Sequence, residues 1–336
     1  MTSGLWPAGA ATGVGSLPGT DTAEAQRMVF GELPELPHLP ELPDRGPGAE
    51  MIGRGAAMLV DVPVELYAAR WRIAARPGRD LRRGRDLLER DLDALTEQAA
   101  EFAGPVKVQA AGPWTLAAGV ELPVGGLMLR DPGAVRDLTG SLAEGLRAHV
   151  TEVAARLPHA RVLLQLDEPS LPAVLAGEVR TESGLGTYRP VEAATARAAL
   201  ANVVNAVGVP VIVHCCAAGV PLDVVRESGA AAVGLDLALV GDRDLDPLAE
   251  SLDGGLGLFA GAAPTRPSSN GRGPSSSEIA DRVREVWHRL GFPATGAAER
   301  VVVTPACGLA GATPDYAREV LKACRDAGRR LLDEAG

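Results

Sequence analysis

Val162-Leu163-Leu164-Gln165-Leu166-Asp167-Glu168-Pro169 is a short, mostly apolar run that ends in two acids and a proline. The same form returns at Pro210-Val211-Ile212-Val213-His214-Cys215-Cys216 and at Ala231-Ala232-Val233-Gly234-Leu235-Asp236. It returns again at Leu256-Gly257-Leu258-Phe259-Ala260 and Val301-Val302-Val303-Thr304. Short runs without polar alternation are those of parallel strands covered on both faces. Helix-like stretches separate them, which is the pattern of successive β-α units. Outward from this block, residues 11–15 and 106–110 read as two more strands. An eighth is open: residues 57–62 either supply it or belong to a helical stretch over 51–73.

Apolar residues recur every three or four positions at Val135, Leu138, Leu142, Leu146, Val150, Val153 and Leu157, and again at Leu88, Leu92, Leu95, Ala99 and Phe102. Each set makes one stripe of a helix. Thr313-Pro314-Asp315 reads as an N-cap, a proline at the first helical position and an early acid, opening a last helix with Val320, Leu321, Cys324 and Leu331 on one face. Seven or eight strand–helix units predict a single α/β domain over residues 1–336, a (β/α)8 TIM barrel. Two stretches break the rhythm. Residues 32–47 carry Pro34, Pro37, Pro40 and Pro43, which neither a helix nor a central strand accepts. Residues 263–277, rich in Ser, Gly and Pro, read as a mobile loop over the barrel mouth.

Composition narrows the function. With 33 basic against 43 acidic residues the net charge is −10, which argues against a nucleic-acid partner. No stretch is long and apolar enough to span a membrane, and the amino terminus lacks a signal-peptide pattern, so a cytoplasmic protein is expected. Four cysteines in 336 residues are too few for a disulfide scaffold; as thiols they are available as ligands or nucleophiles.

In a parallel barrel the carboxyl ends of the strands carry the chemistry. His214 and Cys216, one residue apart in extended backbone, point the same way. With Cys307 at another strand end they make a metal set suited to zinc. Asp236 either completes that set or caps the turn after its strand. Cys215 and Cys324 read as packing residues. Asp167 and Glu168 place two acids in the mouth, where a substrate ammonium group would suit them; each could instead cap a turn. Gly15 and Ser16 offer backbone N–H groups to a substrate carboxylate. Trp114, in Gly112-Pro113-Trp114-Thr115, is either an aromatic wall of the substrate pocket or core.

Gly-Ser-Leu-Pro (15–18), Gly-Pro-Trp-Thr (112–115), Gln-Leu-Asp-Glu-Pro (165–169), His-Cys-Cys (214–216) and Pro-Ala-Cys-Gly-Leu (305–309) together resemble the catalytic barrel of the cobalamin-independent methionine synthase family, in the family's order. The resemblance implies a zinc-dependent methyltransferase that activates the homocysteine thiol, with His214, Cys216 and Cys307 as zinc ligands. Asp236 stands where the family has a glutamate ligand. It implies Gly15 and Ser16 as the carboxylate-binding segment and Asp167 as the partner of the ammonium group. The chain departs from the family in three ways. It has no room for a second, amino-terminal barrel; Gly261-Ala262-Ala263-Pro264 stands where a catalytic histidine is expected; and Gly53 falls near the place of a further substrate-binding glutamate. These departures predict methyltetrahydrofolate to be a poor donor, with a corrinoid carrier protein or another small methyl compound in its place; a faster rate with the folate would instead mean that another acid, such as Glu168, has taken the missing histidine's role. Two other readings stand beside this one. A uroporphyrinogen-decarboxylase-like barrel would need arginines such as Arg54, Arg72 and Arg266 for substrate carboxylates. A non-catalytic zinc- or thiol-binding protein would hold metal without methyl transfer.

Overall fold

The structure is a computed structural model and describes residues 4–267 and 273–334. Six parallel strands lie side by side in chain order: β1 (Pro105–Ala111), β2 (Arg161–Asp167), β3 (Val211–Cys215), β4 (Ala232–Asp236), β5 (Gly257–Ala263) and β6 (Val301–Pro305). Helices follow each of them, among them Pro132–Arg156 after β1, Ala193–Val207 after β2 and Pro314–Asp333 after β6. The expected caps are in place. Asp131 accepts from the Gly133 and Ala134 N–H groups ahead of Pro132, and Thr313 accepts from Tyr316 ahead of Pro314. The fold is that of a (β/α)8 barrel.

Two short extended segments bring the outer strands of the sheet together. Ala11 bridges Val303 of β6, Ser16 bridges Glu41, and His38 bridges Lys107 of β1, all parallel. Leu39 N–H donates to Lys107 O and Lys107 N–H to Pro37 O, both at 2.9 Å. Leu17 N–H donates to Glu41 O at 2.8 Å. The proline-rich segment is therefore part of the barrel wall, against the expectation drawn from its composition. Its prolines fall where no ladder N–H is needed, because Leu39 bonds to β1 and Glu41 to Gly15. Residues 57–62 form no strand. Helix Met51–Ala57 ends there, and an antiparallel pair, Val64–Tyr67 with Arg70–Ile73, follows.

Alternation along each strand sends every second residue inward. The inward side starts on an apolar floor of Leu163, Ile212, Ala232, Phe259 and Val302, sealed by Trp6, whose ring meets Phe259 edge-on at 5.1 Å. Two residues further along, the same side turns polar, with Gln165 and then Asp167 on β2 and His214 on β3. Outward residues such as Val162, Leu164 and Leu166 pack beneath the helices. Residues 268–272, in the middle of the expected mouth loop, lie outside the described residues. Just before them Tyr316 Oη donates to the carbonyls of Pro264 and Arg266, at 3.2 and 2.7 Å. Among the described residues no helix is long and apolar enough to cross a membrane.

Candidate metal and substrate site

β3 and β6 end on the same side of the barrel, and the side chains of His214 in β3, of Cys216 just past it and of Cys307 just past β6 meet there. His214, Cys216 and Cys307 place one ligand atom each within 4.8 Å of one another. The two sulfurs are 3.1 Å apart. The Cys216 thiol and the His214 ring favour the thiolate of Cys307 and hold its pKa below the usual thiol range. Cys215, between the two ligating types on β3, points elsewhere and is fully buried, which pushes its thiol up to about 12. His214 Nε2 is buried and makes no hydrogen bond among the described residues. An imidazole nitrogen left open beside two thiols is the donor chemistry of a soft metal site.

Gly234 on β4 is what makes room for that imidazole. It lies opposite His214 in the register, and a Cβ there would sit 2.9 Å from His214 Nδ1. Gly234→Ala is therefore expected to turn the ring and weaken metal binding about 10- to 100-fold, as a change behind a ligand does. Zinc affinity measured against a competing chelator checks this; unchanged affinity would show that the ring has slack to move.

Asp167 ends β2 directly opposite His214 in the register. It is 7% exposed, and Gln165 Nε2 donates to it at 2.7 Å and to Val14 O at 2.8 Å. Burial raises its pKa, while His214 and Lys107 act in the opposite sense. Two groups missed in the sequence complete this end of the barrel. Lys107, fully buried, donates from Nζ to Val14 O at 2.9 Å. Glu41, at the end of the proline-rich segment, is close enough to Asp167 for the two charges to oppose one another. Burial is the main cause of its pKa rising to about 7. Lys107 had a visible signal, a cation inside the otherwise apolar run Val106-Lys107-Val108. Glu41 was hidden by its prolines.

Gly15 and Ser16 are tied to the Cys307 loop. Leu309 N–H donates to Ser16 O at 2.8 Å, and Gly308 leaves the space taken by the Ser16 side chain, since a Cβ there would lie 2.0 Å from Ser16 Oγ. The Gly-Ser segment thus sits beside Cys307, just past the end of β6.

Other candidates face away. The Glu168 carboxylate accepts from Trp114 N–H at 3.0 Å and from the Thr115 N–H and hydroxyl at 2.8 Å each, so it secures the turn after β1 instead of sharing the mouth with Asp167. Trp114 is 1% exposed and donates from Nε1 to Ala196 O at 3.1 Å; it is core between two helices, not a pocket wall. Asp236 is outside the His–Cys group, and its Oδ1 accepts from Ala238 N–H at 2.9 Å, capping a turn. Residues 261–263, where a histidine was expected, are the buried end of β5. Arg54 and Arg72 are engaged with carboxylates of the chain itself, which removes them as clamps for an acidic porphyrin.

Residues 9–330 match the family described as cobalamin-independent synthase, catalytic domain. The chain belongs to this family. Membership in the cobalamin-independent synthase family makes it a methyltransferase of the methionine synthase kind. None of the curated proteins matches it. Among solved structures, a B12-independent methionine synthase from Shewanella sp. W3-18-1, in complex with selenomethionine, matches 98% of this chain and 99% of its own length. The TM-score is 0.59 and the identity 13%, which supports the shared barrel and no more. The corrinoid carrier expected from the sequence finds no support, and the description of the family as cobalamin-independent argues against it.

Proposed function

We propose that this chain transfers a methyl group to the thiol of homocysteine, forming methionine, with zinc held by His214, Cys216 and Cys307. The observation that carries the reading is the convergence of an imidazole and two thiols at strand ends, beside a buried Asp167. Three protein ligands are what a catalytic zinc site uses, with one position left for substrate. Zinc bound there supplies the Lewis acidity that ionises a thiol near neutral pH.

The chain's own groups then hold the amino acid. Asp167 accepts its ammonium group, fixed in direction by Gln165. Glu41 adds a second negative charge on that side, which fills the role of the substrate-binding glutamate that had no match in the sequence. Backbone N–H groups of Gly15 and Ser16 receive the carboxylate, and Lys107 offsets the two acids so that the empty site is not simply anionic. Glu168 takes no part in the reaction. Thiol activation is thus local to β2, β3, β6 and the segment at 15–16.

The test is direct. Purified protein is expected to hold about one zinc per chain and to form methionine from homocysteine with a small methyl donor. A zinc-loaded protein that binds homocysteine no better than a plain alkyl thiol would overturn the reading.

A further inference from the structure

Behind Glu41 lies a chain of buried charges. Arg54, on helix Met51–Ala57 and 1% exposed, sets its Nε 3.3 Å from Glu41 Oε1. Its Nη1 is hydrogen-bonded to Asp91 on helix Arg79–Ala99. Asp91 is fully buried and also receives Arg45 through both terminal nitrogens, at 2.7 and 2.9 Å. The order Glu41, Arg54, Asp91, Arg45 alternates in sign and runs from the barrel mouth to the outer helix.

We propose that Arg54 is a positioning residue for substrate: anchored by Asp91, it favours the charged form of the Glu41 carboxylate and turns it into the mouth, and so sets the affinity for the ammonium group of the amino acid. This rests on the reading of Glu41 as a substrate contact. The physics is that of a buried acid. A carboxylate without a cation beside it takes up a proton as burial raises its pKa, and a neutral acid loses most of its pull on an ammonium group. The groups acting on Glu41 are Arg54, Lys107 and Gln109 of β1, all favouring the charged form, and Asp167 of β2, which opposes it. Arg54 ranks first among the favouring groups. On its other sides Arg54 faces Asp91 and His149 of helix Pro132–Arg156, whose imidazole is kept neutral by burial and by Arg54 itself. Asp91 in turn needs its arginines, because an unpaired buried carboxylate is costly.

The sign follows. Glu41 must be charged to bind an ammonium group, so KM for homocysteine rises as pH falls through its pKa. Removing Arg54 raises that pKa and moves the limb to higher pH. Steady-state kinetics of zinc-loaded Arg54→Met, Arg54→Lys and Glu41→Gln across neutral pH make the test. Arg54→Met is expected to raise KM about tenfold at pH 7, shift the KM limb upward in pH, and leave zinc content and kcat at saturating homocysteine in place. Arg54→Lys keeps a cation and is expected to recover part of the shift, which gives a reading even if the methionine variant does not fold. A KM limb at the parent pH in a folded Arg54 variant would overturn the inference alone. An unchanged KM in Glu41→Gln would overturn the reading of Glu41 beneath it, whatever Arg54 does.

Discussion

Cys307→Ser is expected to lose nearly all zinc and, with it, methionine formation. A serine hydroxyl stays protonated at neutral pH and is a poor match for a metal that prefers thiolate. The loss should exceed the roughly 10–100-fold that a change behind a ligand costs, because a bond is removed outright and Cys216 and His214 alone cannot hold the ion. His214→Ala should behave alike. Among the described residues His214 Nε2 makes no hydrogen bond, so its removal costs the fold no bond from that nitrogen and the fold should stay intact. Elemental analysis with a chelator-competition titration measures the effect, and thermal melting of the metal-free forms separates it from unfolding. Wild-type zinc in either variant would end the metal assignment. Asp236→Asn offers a contrast: its carboxylate bonds to Ala238 N–H, an asparagine oxygen can do the same, and zinc content should hold.

One rule made part of this site legible, and the same rule shows where the reading failed. Period-two alternation puts His214 and Cys216 on one side of β3, so the metal group could be read from two letters and a distant Cys307. Applied to Asp167 and Glu168, the rule separates them, and the structure has Asp167 beside His214 and Glu168 turned to Thr115. Treating the neighbouring acids as a pair ignored it. The barrel itself was legible because each strand run ends before a helical stripe. The wall formed by residues 37–41 was not, since prolines normally exclude a strand and only the placement of Leu39 and Glu41 N–H groups shows why these do not. Glu41 was lost with that segment. Trp114 stayed open for another reason: an indole after a strand end suits a pocket or a core equally, and only its bond to Ala196 decides.

Asp167→Asn is expected to weaken homocysteine binding while leaving zinc in place. The proposed contact joins a buried carboxylate to an ammonium group, and such charge-assisted bonds contribute about 1.5–3 kcal/mol, or roughly ten- to a hundred-fold in affinity. Asparagine keeps the size and can still face Gln165, so the barrel should not collapse. It cannot, however, supply the charge, and an uncharged amide is a weaker acceptor. The comparison that isolates this effect uses a thiol without an ammonium group, such as 3-mercaptopropionate. That ligand can occupy the metal and the Gly15–Ser16 segment, yet it makes no demand on residue 167. Calorimetric titration of both ligands into zinc-loaded protein should show a large loss for homocysteine and little for the simpler acid. Equal losses for the two would mean that Asp167 acts on the metal site through His214, its partner across the β2–β3 ladder, instead of on the substrate.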